Sequence, residues 1–175
     1  MRSWFSVALG VVAVFFVGQA GASEVSVKGP HICCPQCVKI AKGILSKVDG
    51  VSDANADAKT KTVTFTAKDD ASAKAGYKAL LDGGFFGSAT NDGKEIKLDA
   101  ASPKKGDKLE VVAVKDVHVC CGACKNAIKA IFQDAKITYQ GTGPQLTVRI
   151  EGSDLYPGTV LEALRKGGFN GTLEK

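Results

Sequence analysis

The chain has 175 residues, of which 23 are Lys or Arg and 18 are Asp or Glu, so its formal net charge is +5. The basic residues are scattered over the whole length and only 7% of the residues are aromatic, which argues against a nucleic-acid-binding surface. A chain of this length is expected to form one domain or two small ones.

The first 22 residues have the layout of a secretory signal peptide. Arg2 precedes an apolar run over residues 4–17, and the small residues Ala20-Gly21-Ala22 follow it, which predicts cleavage after Ala22. The run of about 14 residues is shorter than the roughly 20 that span a bilayer as a helix. We therefore expect a periplasmic or secreted protein with no stable membrane insertion after cleavage of residues 1–22.

The elements predicted after the signal peptide follow the order strand, helix, strand, strand, helix, strand. Apolar alternation predicts the strands and apolar residues at helical spacing predict the helices. Glycine pairs at 83–84 and 167–168 are expected to end the second helix of each set. The strands are predicted at 24–28, 51–57, 62–67, 109–117, 136–140 and 145–150, and the helices around 38–48, 75–81, 127–132 and 160–164.

The second half of the chain repeats the first. Cys34 and Cys37 recur as Cys121 and Cys124, a shift of 87 positions. The run Gly-Gly-Phe recurs with a shift of 84 positions, at 83–85 and 167–169. The repeat predicts an α+β protein with two tandem ferredoxin-like βαββαβ sandwiches.

The predicted domains follow from this repeat. The first unit covers residues 23–98 and the second unit covers residues 108–175, both after the signal peptide at 1–22. Between them, residues 99–107 have the Pro, Gly and Lys content of an exposed linker.

All six cysteines lie in two copies of one motif, His-x-Cys-Cys-x-x-Cys. The copies read HICCPQC over residues 31–37 and HVCCGAC over residues 118–124. Their spacing is too short for disulfides that would close long loops and stabilise the fold. Two thiolates at a loop–helix junction can converge on one soft metal ion, and the N-terminal dipole of the helix favours the thiolate form.

This arrangement resembles the heavy-metal-associated domain, a ferredoxin-like unit of about 70 residues with Cys-x-x-Cys between its first strand and first helix. The family includes copper chaperones, modules of copper-transporting ATPases and periplasmic mercuric-ion-binding proteins. Val48-Asp49-Gly50-Val51 resembles its Val-x-Gly-Val, and Gly84-Phe85 and Gly168-Phe169 resemble its Gly-Tyr or Gly-Lys.

The resemblance implies the ligands, the partners and the absence of catalysis. The ligand pairs would be Cys34 with Cys37 and Cys121 with Cys124. The partner would be a metal donor or acceptor, such as a metal transporter, that exchanges the ion between thiolates. Two-coordinate thiolate binding suits Cu(I) or Hg(II) better than Zn(II), which prefers four ligands.

Each motif departs from the family pattern by an additional cysteine. Ile32-Cys33 and Val119-Cys120 stand where the family has Met-Thr. Ile or Val preserves the packing role of the methionine. The third thiol would complete a trigonal site, join a cluster shared between the units or between two chains, or point away and bind nothing.

The histidines and phenylalanines are further departures. His31 and His118 are the only two histidines, each two residues before its first cysteine. One histidine and three cysteines within each unit would satisfy tetrahedral Zn(II), or each imidazole would stabilise its loop by hydrogen bonding. Phe85 and Phe169 stand where the family has Tyr or Lys, so they would shield the metal without donating a hydrogen bond.

The sequence thus favours a non-enzymatic, exported protein that binds Cu(I), with Zn(II) or Hg(II) as alternatives, for delivery, buffering or sequestration. One rival function is thiol–disulfide exchange through the CPQC and CGAC sequences at 34–37 and 121–124, because an exported protein meets an oxidising compartment. A second rival makes the cysteines structural bridges between the units, for example through Cys33 and Cys120.

Overall fold

The computed structural model describes residues 21–98 and 104–174. Residues 1–20 of the predicted signal peptide and residues 99–103 of the predicted linker lie outside this part. Within the two described ranges, no helix has both the length and the apolar character needed to cross a membrane.

The first unit is an antiparallel sheet covered by two helices. Its strand order is β2-β3-β1-β4-β5, so β1 pairs with β3 on one side and β4 on the other. The elements are β1 (Ser23–Lys28), α1 (Pro35–Leu45), β2 (Val51–Asp57), β3 (Thr62–Ala67), α2 (Asp70–Asp82), β4 (Ser88–Asn91) and β5 (Lys94–Glu95).

Apart from the additional strand β5 of the first unit, the second unit has the same order of elements and of strands. Its sheet runs β7-β8-β6-β9, so the predicted α+β class and ferredoxin-like βαββαβ order are confirmed. The elements are β6 (Leu109–His118), α3 (Gly122–Ile131), β7 (Lys136–Gln140), β8 (Gln145–Leu155), α4 (Pro157–Lys166) and β9 (Thr172–Leu173).

Two strands differ from the sequence prediction by more than one residue. The prediction ended β8 at residue 150, but the strand continues to Leu155 because Glu151 and Leu155 pair with the first residues of the long strand β6. The first unit also ends in a hairpin, where β5 pairs with β4. Its turn holds Asp92 and Gly93 at positive φ, and Asp-Gly is a strong hairpin signal.

The first helix of each unit directs a cysteine into the core. The buried residues of α1 are Cys37, Ala41 and Leu45, four residues apart on one face of the helix. On α3 the buried residues are Cys124 and Ile128. The last cysteine of each motif is therefore held by the same apolar stripe that fixes its helix on the sheet.

The two units meet through the loops that follow α2 and α4. Phe85 and Phe169 form an antiparallel bridge. The N–H of Phe86 donates to the Gly168 carbonyl at 2.9 Å, and the N–H of Asn170 donates to the Gly84 carbonyl at 2.8 Å. Because these two bonds join equivalent positions, the contact has the self-complementary form of a two-fold dimer interface.

Candidate metal centre

The cysteine loops enter their helices in extended backbone. Cys34 is the N-cap of α1 with φ −157° and ψ 165°, and Cys121 is the N-cap of α3 with φ −155° and ψ 173°. The cysteine before each N-cap reaches the same buried sulfur as the N-cap cysteine. Cys33 Sγ and Cys34 Sγ lie 3.6 and 3.5 Å from Cys37 Sγ, and Cys120 Sγ and Cys121 Sγ lie 3.9 and 3.7 Å from Cys124 Sγ.

The loops of both units face each other, and their sulfur atoms form one cluster. Each sulfur has neighbouring sulfurs at 3.4–4.0 Å. All six cysteines are free, and these separations are far longer than the roughly 2.05 Å of a disulfide bond. The members of the cluster are Cys33, Cys34, Cys37, Cys120, Cys121 and Cys124.

Contacts across the units are as short as those within them. Cys37 Sγ lies 3.5 Å from Cys34 Sγ in its own unit and 3.4 Å from Cys120 Sγ in the other unit. Cys124 Sγ lies 3.7 Å both from Cys121 Sγ and from Cys33 Sγ. Cys37 and Cys124 are 0% exposed, whereas the other four side chains are half-buried.

The pKa values of the thiols in the cluster are shifted in opposite directions. The nearby Cys124 thiol, whose sulfur lies within 4.8 Å of Cys37 Sγ, holds the pKa of Cys37 far below its ordinary value, and Cys37 in turn raises the pKa of Cys124. Burial raises the pKa of the Cys33 thiol to about 12 and raises the pKa of Cys120 in the same way. Metal binding would displace the remaining protons, so metal affinity is expected to depend on pH.

Each histidine stacks on the phenylalanine of the other unit. The ring centroids are 4.2 Å apart for His118 and Phe85, and 4.3 Å apart for His31 and Phe169. This role was missed by the sequence interpretation, which treated the phenylalanines only as shields. No local pattern signals a contact between residues so distant in sequence, although the equal placement of both pairs in the repeat is consistent with it.

The histidine nitrogens lie close to the sulfur cluster. His118 is 0% exposed and neither of its ring nitrogens has a hydrogen-bond partner; Nε2 of His31 is also buried without one. One ligand atom from each of Cys37, His118, Cys120 and Cys124 lies within 4.8 Å of the others. Unpaired buried nitrogens beside thiols fit a soft metal ion. This donor set contains Cys37 of the first unit and three residues of the second unit.

A second donor set of this kind contains His31, Cys33 and Cys124, again within 4.8 Å of one another. Burial lowers the pKa of His31, which favours the neutral form that binds metals. The arrangement brings all eight sequence-predicted residues to one place. Their assignment as ligands, including the set of one histidine and three cysteines within one unit, stays a prediction.

Replacement of His118 by phenylalanine tests this donor set. An unpaired buried polar group costs about 1–3 kcal/mol, so His118→Phe is expected to leave the stability of the metal-free chain within about 1 kcal/mol of the original. Its Zn(II) affinity is expected to fall at least about 10-fold, because this set of three thiols and one imidazole suits Zn(II). Denaturant unfolding without metal and competitive Zn(II) titration measure the two effects.

The matched control is Tyr77→Phe, which removes a buried polar group that has a partner. The Tyr77 hydroxyl donates to the Gly87 carbonyl at 2.7 Å. This variant is expected to lose about 1–3 kcal/mol of stability without loss of metal affinity. Equal stability losses in the two variants, with unchanged affinity in both, would reduce His118 to a packing residue.

Comparison with known proteins finds a family model that matches most of the first unit. Residues 30–81 match the model of the heavy-metal-associated domain, and the matched segment contains Cys34 and Cys37. Over these residues the first unit is therefore similar to the heavy-metal-associated domain.

The comparisons with solved structures and with curated proteins do not indicate a function for the chain. The solution structure of the N-terminal soluble domains of Bacillus subtilis CopA is 17% identical and covers 87% of this chain and 94% of its own, with a TM-score of 0.29. No functional inference follows at this level of similarity. No curated protein matches the chain.

Proposed function

We propose that the protein is an exported Cu(I)-binding protein that buffers or sequesters copper in a thiolate cluster shared by its two units. The observation that carries the proposal is the meeting of six free thiols from both units at 3.4–4.0 Å. Thiolates prefer soft ions such as Cu(I), and the matched domain family supports heavy-metal binding.

Burial of the cluster favours storage over rapid delivery. Cys37 and Cys124 are 0% exposed, so an acceptor protein must begin thiolate exchange at the four half-buried cysteines, Cys33, Cys34, Cys120 and Cys121. The metal moves by ligand exchange and no bond of a substrate is broken, so the protein is not an enzyme. Its partner is a protein with competing thiolates, such as a metal transporter.

The N-terminal sequence supports a periplasmic or secreted location. Residues 1–22 have a signal-peptide pattern, and the compartments beyond the cytoplasm oxidise exposed thiols. A bound soft ion keeps the cysteines of such a cluster from oxidation because their electron pairs are engaged by the metal.

A Zn(II) site is the second candidate, and one observation favours it. Cys37, His118, Cys120 and Cys124 present three thiols and one imidazole, which is a common composition of structural zinc sites. This site would hold one ion per chain and would join the units rather than transfer metal.

Competitive titration of the reduced chain lacking residues 1–22 distinguishes these functions. We expect Cu(I) to bind more tightly than Zn(II), and Cys34→Ser/Cys121→Ser to weaken Cu(I) binding at least about 10-fold. Lys39→Ala, on an exposed position of α1, is the control and should bind like the original chain.

Two results would contradict the proposed function. Preferred binding of one Zn(II) per chain that is lost in His118→Phe would establish the zinc site instead. Turnover of a disulfide substrate without binding of either ion would establish thiol–disulfide exchange through Cys34 and Cys37 or Cys121 and Cys124.

A further inference from the structure

The sulfur contacts close a triangle that takes members from both units. Cys34 Sγ and Cys37 Sγ lie 3.5 Å apart, and Cys120 Sγ of the second unit lies 3.4 Å from Cys37 Sγ and 4.0 Å from Cys34 Sγ. The Cys-x-x-Cys pair of the first unit is thus completed by the additional cysteine of the second unit.

An equivalent triangle has the roles of the units exchanged. Cys121 Sγ and Cys124 Sγ lie 3.7 Å apart, and Cys33 Sγ of the first unit lies 3.7 Å from both. The two triangles have no cysteine in common. Together they use every cysteine of the chain.

The sulfur contacts of the additional cysteines favour this exchange. Cys33 Sγ has both members of the opposite pair as neighbours, Cys121 and Cys124 at 3.7 Å, but only Cys37 of its own pair. Cys120 Sγ likewise has both Cys34 and Cys37 of the opposite pair as neighbours, but only Cys124 of its own pair.

Each triangle has the size that a trigonal thiolate site requires. An ion at the centre of a triangle with edges of 3.4–4.0 Å lies about 2.0–2.3 Å from each corner, close to the roughly 2.3 Å of a zinc–thiolate bond. The triangles also lie against each other, with Cys33 Sγ 3.6 Å from Cys37 Sγ and Cys34 Sγ 3.8 Å from Cys121 Sγ.

We propose that the cluster is a pair of adjacent trigonal Cu(I) sites, each formed by the Cys-x-x-Cys pair of one unit and the additional cysteine of the other. This proposal rests on the proposed function and specifies its stoichiometry as two ions per chain. Copper stays in the +1 state throughout, and the protons displaced from the thiols pass to solvent. Neither site is complete within one unit.

A competing arrangement keeps each site within one unit. Cys33 Sγ is 3.6 Å from Cys37 Sγ, and Cys120 Sγ is 3.9 Å from Cys124 Sγ. The sites would then comprise Cys33 with its own pair and Cys120 with its own pair. The two arrangements differ only in which additional cysteine completes which pair, so a variant pair can separate them.

The test compares two triple variants that each keep three cysteines. C34S/C37S/C120S retains the crossed triangle of Cys33, Cys121 and Cys124. C33S/C34S/C37S retains Cys120, Cys121 and Cys124, all from the second unit. Both lose the same buried Cys37 and differ in one half-buried cysteine, so their effects on folding are matched.

We expect C34S/C37S/C120S to bind one Cu(I) with three sulfur neighbours in X-ray absorption. C33S/C34S/C37S is expected to bind at least about 10-fold more weakly and with two sulfur neighbours. Equal affinity and equal sulfur numbers in the two variants, or tighter binding by C33S/C34S/C37S, would overturn the crossed sites.

Both of these variants lack Cys37, and its loss could unfold them. A second set of two variants that retain Cys37 therefore keeps the test valid. C33S/C121S/C124S retains the crossed triangle with Cys34, Cys37 and Cys120, and C120S/C121S/C124S retains the three cysteines of the first unit. The same order of affinities and sulfur numbers is expected. Circular dichroism spectra establish that each variant is folded.

The unaltered chain is titrated in parallel and separates this proposal from the proposed function. Two Cu(I) per chain, each with three sulfur neighbours, is the expected result. Failure of the unaltered chain to bind Cu(I) would overturn the proposed function and the crossed sites together. Tight binding by the unaltered chain with the reverse order of the triple variants would overturn the crossed sites alone.

Discussion

Gly168→Ala is expected to separate the two units and abolish the shared cluster while leaving each sheet folded. A Cβ at this position would lie 2.5 Å from the backbone N of His31 and in contact with the Gly29 carbonyl. Both neighbours are backbone atoms, which cannot move aside as the end of a flexible side chain can. The Gly168 carbonyl also accepts hydrogen bonds from the N–H groups of His31 and Phe86, both at 2.9 Å.

The expected cost combines strain with lost contacts. Gly168 has φ +85°, which costs an L-residue about 1–2 kcal/mol, and two hydrogen bonds contribute about 1 kcal/mol each. We therefore expect a loss of about 3–4 kcal/mol from the free energy that holds the units together. Small-angle scattering should show a larger radius of gyration, and Cu(I) stoichiometry should fall.

Gly93→Ala is the matched control for this prediction. Gly93 also has a positive φ, +79°, but a Cβ there meets nothing within 4 Å. The variant is expected to lose only the conformational cost of about 1–2 kcal/mol and to retain its scattering profile and copper stoichiometry. An unchanged radius of gyration in Gly168→Ala would show that the units are not held together at this loop.

Phe169→Ala is expected to lower the free energy of unfolding by about 3–5 kcal/mol, the usual cost of deleting a fully buried phenylalanine ring. Phe169 is 0% exposed, pairs with Phe85 and stacks on His31. Because the ring packs against His31 in the loop that carries Cys33 and Cys34 of the other unit, Cu(I) affinity should fall as well. Urea unfolding of the metal-free chain and Cu(I) titration measure the two effects.

Phe86→Ala gives the comparison at a neighbouring aromatic residue. Phe86 is half-buried, and its ring lies 5.3 Å from the Arg165 guanidinium. A cation–π contact of this kind is worth about 0.5–2 kcal/mol, so its loss should cost less than the loss of Phe169 and should leave Cu(I) affinity unchanged. Equal losses in the two variants would contradict a special role for the Phe169–His31 stack.

Local patterns were sufficient to predict most of the fold. The predicted bounds of β3 (Thr62–Ala67) and β7 (Lys136–Gln140) agree with the structure, because alternation along a half-buried strand is a local property. The end of β8 was predicted too early because Glu151 to Leu155 depend on pairing with β6. The hairpin strand β5 was missed although Asp92-Gly93 signals its turn.

The sequence by itself determined the chemistry and local position of the candidate site. Spacing of three residues at a helix start is enough to bring Cys34 Sγ and Cys37 Sγ to 3.5 Å, since residues i and i+3 share a helix face. Only the tertiary structure decided that Cys120 Sγ lies 3.4 Å from Cys37 Sγ and that Phe85 stacks on His118. Those contacts join the two units, and their geometry depends on how two complete sheets dock through Gly84 and Gly168, which no local periodicity encodes.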